Sequence, residues 1–337
     1  MNNQSLTRLG KLPLLRTKLF PAESAGRPLL ARSALLDRLF NARQQRLILL
    51  SAPAGFGKST VLSQFRLRLL DTGAQVAWLS CDEADSEPQR LLHYLIAAIE
   101  AQLPGFGAST ARLLRDDLSV PNEVLLDSFI ADLKKVQGDL FLIFDDFHRV
   151  RHADLGPLVN YFVKQVPANV RMIGSTRHQP RFLDDALGSS PWALWVKADE
   201  LRLTRAETEL YFRELKQLQL GTAELDLLHR RTEGWVTALH LVALALARHP
   251  ERSTFLSKLS GTERNIADYL AEDVLDHLPQ EQQLFLDQTS VLDEFNAELC
   301  NALTGRSDGA QMMQRLQASQ LFIIALDEQG EWFRYHH

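Results

Sequence analysis

SAPAGFGKST, residues 51–60, links the apolar run RLILLS (46–51) to a helical pattern, Lys58 to Leu70, with apolar Val61, Leu62, Phe65 and Leu69. Glycines at 55 and 57 permit left-handed backbone angles and close approach to a bound group. A loop of this kind, leaving a buried strand and opening a helix, turns its N–H groups toward one point and attracts anions. It follows the phosphate-loop pattern G-x-x-x-x-G-K-[ST] with one departure: Ala52 stands where the first glycine falls. That glycine serves the turn out of the strand, so alanine is a modest change. The expected cradle for ATP or ADP is Ala54, Gly55, Phe56, Gly57, Lys58, Ser59 and Thr60. Lys58 is placed to reach the β- and γ-phosphates and the Ser59 hydroxyl to ligate Mg2+.

Outward from the loop, strand patterns recur at QVAWLS (75–80), DLFLIFDDF (139–147) and VRMIGSTR (170–177). Helical patterns fall between them at 91–103, at 122–136 with Asn122 as cap, and at 155–166. Such alternation predicts an α/β P-loop NTPase domain, a parallel sheet with helices on both faces. DLFLIFDDF ends in Asp145 and Asp146, the pattern of a Walker B strand. Asp145 is then expected to hold Mg2+ and Asp146 to polarise the attacking water. Two acids after a strand are also common in solvated loops; the upstream loop favours the catalytic reading. Arg177 ends the next strand on the same edge, where it either senses the γ-phosphate or is an ordinary surface arginine.

Beyond Leu203 the pattern becomes helical. Thr204 and Glu207 form a capping box, and helices fit 224–232 and 235–248. LFIIAL, DEQG and EWFRYHH then read as a hairpin, so helices followed by two strands predict a winged helix. The expected domains are 1–203, the P-loop unit; 204–262, a helical lid; and 263–337, the winged helix.

Composition narrows the function. Two distant cysteines, Cys81 and Cys300, suit a reduced, cytoplasmic protein, and no apolar run is long enough for a membrane span. From Glu263 to His337 there are 14 acidic residues against 4 Arg and no Lys. Such a surface repels a phosphate backbone, which argues against DNA binding by this winged helix. A metabolic ATPase is the other alternative, but no convergent pocket for an acceptor substrate is evident.

The chain resembles the MalT-type STAND ATPases, the large ATP-binding regulators of the LuxR family. The resemblance runs from about Leu14 to His337. It is carried by TKLF, LLARSALLDRL, SAPAGFGKST, WLSCDEADSEPQRLLHYLIAAI, LIFDDFH, STRHQP, TEGWVTALHLVALAL and YLAEDVL, then by FLDQTSVLDEFNAELCNALTG and LFIIALDEQGEWFRYHH, all in the family's order. It implies a switch that is ADP-bound at rest and ATP-bound when active, with slow hydrolysis and self-association in the active state. It also implies an inducer bound by sensor repeats and DNA bound by a C-terminal helix-turn-helix. Because the chain stops at His337, both modules are expected beyond its end. By the same resemblance Arg32 falls beside the adenine and ribose, and His336 faces the β-phosphate. The sequence departs from the family in having Gly234-Trp235-Val236 where most STAND proteins have G-x-P, which weakens the expected lid contact with the base. RFLDDALGSSPWALW, from Arg181, also leaves the family pattern and is expected to be an altered loop.

Overall fold

The computed structural model describes residues 14–22, 29–116, 119–151, 155–177, 192–246, 275, 278–318, 323–327 and 330–335. Two compact units emerge. One comprises Met1–Pro21, Ser33–Pro53 and Lys58–Ala198; the other comprises Ala22–Arg32, Ala54–Gly57 and Asp199–His337.

The first unit is built on a five-stranded sheet. Its strands are β1 (Leu47–Ser51), β2 (Gln75–Ser80), β3 (Leu140–Asp145), β4 (Val170–Thr176) and β5 (Ala193–Lys197). They lie in the order β2-β3-β4-β1-β5, every pair parallel. Leu47, Ile48, Leu49 and Leu50 are all buried, so β1 shows no in-out alternation; apolar cover lies on both faces, as a parallel sheet requires. On one face Leu47, Leu49, Leu142 and Met172 pack with helices α3 (Pro88–Glu100), α5 (Asn122–Leu133) and α6 (Leu155–Gln165). α1 (Ser33–Asn41) packs on α2 (Lys58–Leu70), which buries Val61, Leu62, Phe65 and Leu69 against β2, β3 and β4. The register aligns Ser51 with Thr176 and Lys197, and Ser80 with Asp145, so these strands end at one carboxyl edge.

Two readings of the sequence need correction. β5 lies in the PWALW stretch expected to be an altered loop; its alternation is weak because only Val196 is fully buried. Asn122 does not cap α5. Pro121 occupies the cap position with no side-chain hydrogen bond, and Asn122 is the first helical residue. Proline's preset φ starts the helix without a side-chain acceptor. Helix α4 (Ala108–Asp116), like α1, had no assignment from periodicity.

In the second unit the capping box forms. Thr204 Oγ1 accepts from Glu207 N at 3.2 Å, and Glu207 Oε2 accepts from Thr204 N at 2.8 Å. The helix Arg205–Leu210 runs into a π-helical turn, Tyr211–Leu215, and helices Thr222–Thr232 and Val236–Leu246 follow. Gly234, at φ 75°, is required between the last two: a Cβ there sits 2.1 Å from the Leu203 carbonyl oxygen. Helices Gln280–Thr289, Ala297–Thr304 and Gly309–Ala318 precede the hairpin of β7 (Ile323–Ala325) and β8 (Phe333–Tyr335). β6 (Glu294–Phe295) pairs with the other side of β8, completing a three-stranded antiparallel sheet. The turn is held by Asp327, whose carboxylate accepts from the N–H groups of Glu331 and Trp332, both at 2.8 Å. Phe285, Phe295, Phe333, Met312 and Leu316 fill the core beneath it. Helices closed by such a hairpin form the expected winged helix, after the helices read as a lid.

Candidate nucleotide-binding site

β1 delivers the loop. Ala52 is buried, its N–H donates to the Thr176 carbonyl at 3.2 Å, and its φ is not positive, so no glycine is needed there. The two retained glycines do need their freedom, with Gly55 at φ 78° and Gly57 at φ 74°.

On the first unit, Lys58 begins α2 with its side chain buried. Its ammonium donates to the carbonyls of Ala52 and Pro53, both at 2.8 Å, which curls the side chain back over the loop's entry. Burial lowers its pKa, the negative charges of Asp146 and Asp145 act in the opposite sense, and Arg177 adds to the lowering. Ser59, half-buried, and Thr60, exposed, occupy the first turn of the same helix.

The acidic end of β3 is held by a residue that the sequence reading did not single out. Ser175, fully buried on β4, donates from Oγ to Asp145 Oδ1 at 2.5 Å and accepts from Asp146 N at 2.8 Å. One hydroxyl thus fixes both acids. Asp146 sits in the left-handed region, φ 55° and ψ 37°, a conformation that costs energy for a residue with a Cβ and that clusters at functional sites. His148 lies in the turn that follows, its Nδ1 3.9 Å from Asp146 Oδ1, too far for a hydrogen bond. That Nδ1 is buried with no hydrogen-bond partner among the described residues. Burial drives the imidazole pKa down to about 4; Asp146 opposes this, while Arg177, Lys58 and Arg149 reinforce it. The ring is therefore neutral near pH 7. The signals were available: a serine two residues before Arg177, and a histidine two after Asp146.

Lys58, Asp145, Asp146, Arg177 and His148 thus share one electrostatic neighbourhood at the carboxyl edge of the sheet. Open α/β sheets bind ligands there. A serine hydroxyl on α2 and a buried carboxylate on β3 are hard oxygen donors that suit Mg2+, which takes its other ligands from phosphate and water. Among the described residues no cluster of three or more His, Cys, Asp or Glu offers a metal site made by protein alone.

On the second unit, the loop tip Ala54–Gly57 packs on the start of the helix Val236–Leu246. The Gly55 carbonyl accepts from Thr237 N at 3.2 Å and from Thr237 Oγ1 at 3.1 Å. A Cβ at Gly55 falls 2.2 Å from Thr237 Oγ1, so contact and φ both demand glycine. Phe56 is buried 6.2 Å from the Trp235 ring, whose Nε1 is buried without a partner among the described residues. Arg32 is also buried. Its guanidinium donates to the carbonyls of Leu201 (2.7 Å), Arg202 (2.9 Å) and Glu200 (3.2 Å), and to Glu207 Oε1 at 2.8 Å. Most of its hydrogen-bonding capacity is therefore spent on the protein. His336 lies outside the described residues.

A parallel sheet in this order, a phosphate loop and a strand ending in two acids define a P-loop ATPase domain, here joined to a winged helix. The AAA ATPase domain family matches residues 28–173, and the MalT winged helix domain family matches residues 271–337. Over 308 residues, 90% of its length, the chain is 30% identical to the HTH-type transcriptional regulator MalT of Yersinia enterocolitica, and to the same degree to that of Yersinia pestis. The chain thus carries an AAA ATPase domain and a MalT-type winged helix domain, and it is similar to the MalT regulators along 90% of its own length. It spans 34% of the length of those relatives. Its fold is shared by a STAND protein with a tetratricopeptide repeat sensor from Pyrococcus horikoshii. The TM-score is 0.57 at 17% identity, covering 94% of this chain and 43% of that one. No helix among the described residues is long and apolar enough to cross a membrane.

Proposed function

We propose that this chain is the nucleotide-binding switch core of a signal-responsive transcriptional activator, resting with ADP, active with ATP, and hydrolysing ATP slowly. The observation that carries the reading is the convergence of Lys58, Asp145, Asp146 and Arg177 at the edge where the phosphate loop opens α2. In this reading Lys58, Ser59 and the backbone of residues 54–60 hold the phosphates. Asp145 holds Mg2+ through water, Asp146 polarises the attacking water, and Arg177 answers to the γ-phosphate. Arg32 serves the base from a distance, by fixing the 200–202 backbone.

Residues 1–203, 204–262 and 263–337 act as P-loop domain, lid and winged helix. The winged helix closes on the nucleotide and does not read DNA, because residues 263–337 carry a net charge of −10. His336 is its contact with the β-phosphate, and His336→Ala speeds ADP release by a factor equivalent to about 1–3 kcal/mol. Inducer binding, self-association and DNA binding belong to the whole-length assembly, through sensor repeats and a helix-turn-helix.

The test is to purify the chain, release its nucleotide by heat, identify it by chromatography, and measure steady-state turnover. Bound ADP with slow turnover and slow product release supports a switch. Rapid turnover with free exchange of ADP sinks it and favours a metabolic ATPase.

A further inference from the structure

Within the first unit, between the sheet and helices α3, α5 and α6, lies a half-open cavity of about 120 Å³. Among the described residues that line it, Asn122 alone has a polar side chain; the rest are Leu, Val, Ile, Phe, Met, Pro and Gly. An enclosed apolar cavity of about 150 Å³ stays dry and holds benzene; this one is of similar size, though open on one side. Apart from Asn122, the described walls offer a polar or charged ligand no side-chain partner. A small uncharged hydrocarbon recovers the dispersion contacts that an empty space lacks.

The position of the cavity gives it a consequence. Phe144 and Phe147 form part of its wall, edge to face with centroids 5.7 Å apart, and they bracket Asp145 and Asp146 in the chain. Gly174 forms another part. A Cβ at Gly174 comes within 3.0 Å of Leu49 Cδ1, and the next residue is Ser175, whose hydroxyl fixes both acids. An occupant thus touches both chain segments that set the geometry of the Walker B turn.

We propose that this cavity is a binding site for a small uncharged apolar molecule, of the size of a single aromatic ring, and that its occupancy alters nucleotide binding through the Phe144–Phe147 turn. The second half rests on the nucleotide-switch reading; the first does not.

Fluorobenzene, followed by 19F NMR against the nucleotide-free 337-residue chain, is the probe. Saturable broadening in the millimolar range is expected, with no competition from benzoate, which has the same ring but a charge. Val159→Phe fills the cavity from α6 and Leu126→Phe from α5; each is expected to weaken binding at least tenfold. If one variant fails to fold by circular dichroism, the other decides. Absence of saturable broadening, or parent-like broadening in the folded variants, overturns the site. In a second arm, ADP affinity is measured with and without saturating fluorobenzene. A change of at least twofold in the parent, absent in the filled variants, is expected. An unchanged affinity in the parent overturns the coupling. If the chain binds no ADP at all, the switch reading fails while the first arm still judges the cavity.

Discussion

The carboxyl edge of the parallel sheet and the sheet of the winged helix treat polar groups in opposite ways. At the first, Lys58, Asp145, Ser175 and Thr176 are buried, two of them charged. At the second, the buried polar residues among those described are Gln282 and Thr289, both uncharged; the Thr289 hydroxyl donates to the Phe285 carbonyl at 2.6 Å and lies 2.5 Å from the Tyr335 hydroxyl on β8. Charges there pair at the surface: Arg315 with Glu281 at 3.0 Å, and Arg306 with Asp308 at 2.7 Å. Exposed pairs of that kind contribute little. Burying a charge is costly, so its retention at the carboxyl edge, and not among the described residues of the winged helix, fits a region shaped by chemistry as well as by packing. The winged-helix unit is organised by Phe285, Phe295 and Phe333.

Substitutions at the sheet edge sharpen this contrast. Asp146→Asn has the largest expected effect: ATP turnover falls by about 10²–10⁴-fold, the usual contribution of a positioned base, while ADP binding stays near the parent value. Asp145→Asn acts instead on Mg2+-dependent affinity. Parent-rate hydrolysis in both variants removes the Walker B assignment.

Lys58→Ala comes next. Loss of a charge-assisted contact to phosphate weakens nucleotide binding by about ten- to a hundredfold. Chromatography of heat-released nucleotide measures it, and undiminished occupancy refutes the phosphate-loop role.

Ser175→Ala leaves Asp145 Oδ1 and Asp146 N without their shared partner. The expected loss is about 1–3 kcal/mol in urea unfolding, together with slower turnover. The matching change in the winged helix, Thr289→Ala, removes a hydroxyl that joins the Phe285 carbonyl and the Tyr335 hydroxyl, so it costs stability but is expected to leave turnover unchanged. Equal effects on turnover from both would erase the distinction between the two regions.

The smallest effect is a pH dependence in the chain free of nucleotide and metal. His148 has its pKa lowered from 6.5 to about 4 in the fold. Between these values the unfolded chain takes up a proton that the folded chain does not, so stability declines as pH falls from 6.5 toward 4 and is unaffected by this group above 6.5. His148→Gln, neutral throughout, is expected to flatten that part of the stability profile. An identical profile in the variant would show that other groups dominate the acid limb.

Much of the first unit was legible because its signals are local. Four apolar runs bounded by turn residues marked β1 to β4, and α2 was readable at its observed bounds because the loop sets its start. β5 was not readable: it joins the sheet by pairing with β1 (Leu47 with Ala193), a partner far away in sequence. A half-buried edge strand needs little hydrophobic periodicity. At the site, Lys58, Asp145 and Asp146 were legible from motif spacing. Ser175 and His148 stand close in sequence to Arg177 and Asp146 but were not singled out; the contacts of Ser175 with both acids arise only because β3 and β4 lie side by side.

By itself the sequence determined the phosphate loop, the acids at the end of β3, the alternation that makes a parallel sheet, the capping box at Thr204, and the negative charge of residues 263–337. All of these are properties of neighbours along the chain or of composition. Tertiary structure alone decided which strand lies beside which, that one serine holds both acids, that Gly55 and Gly234 must be glycine because Thr237 and Leu203 crowd them, and that a cavity backs the Walker B turn. These depend on the pairing and packing of segments distant in sequence, whose free energy no single stretch of residues encodes.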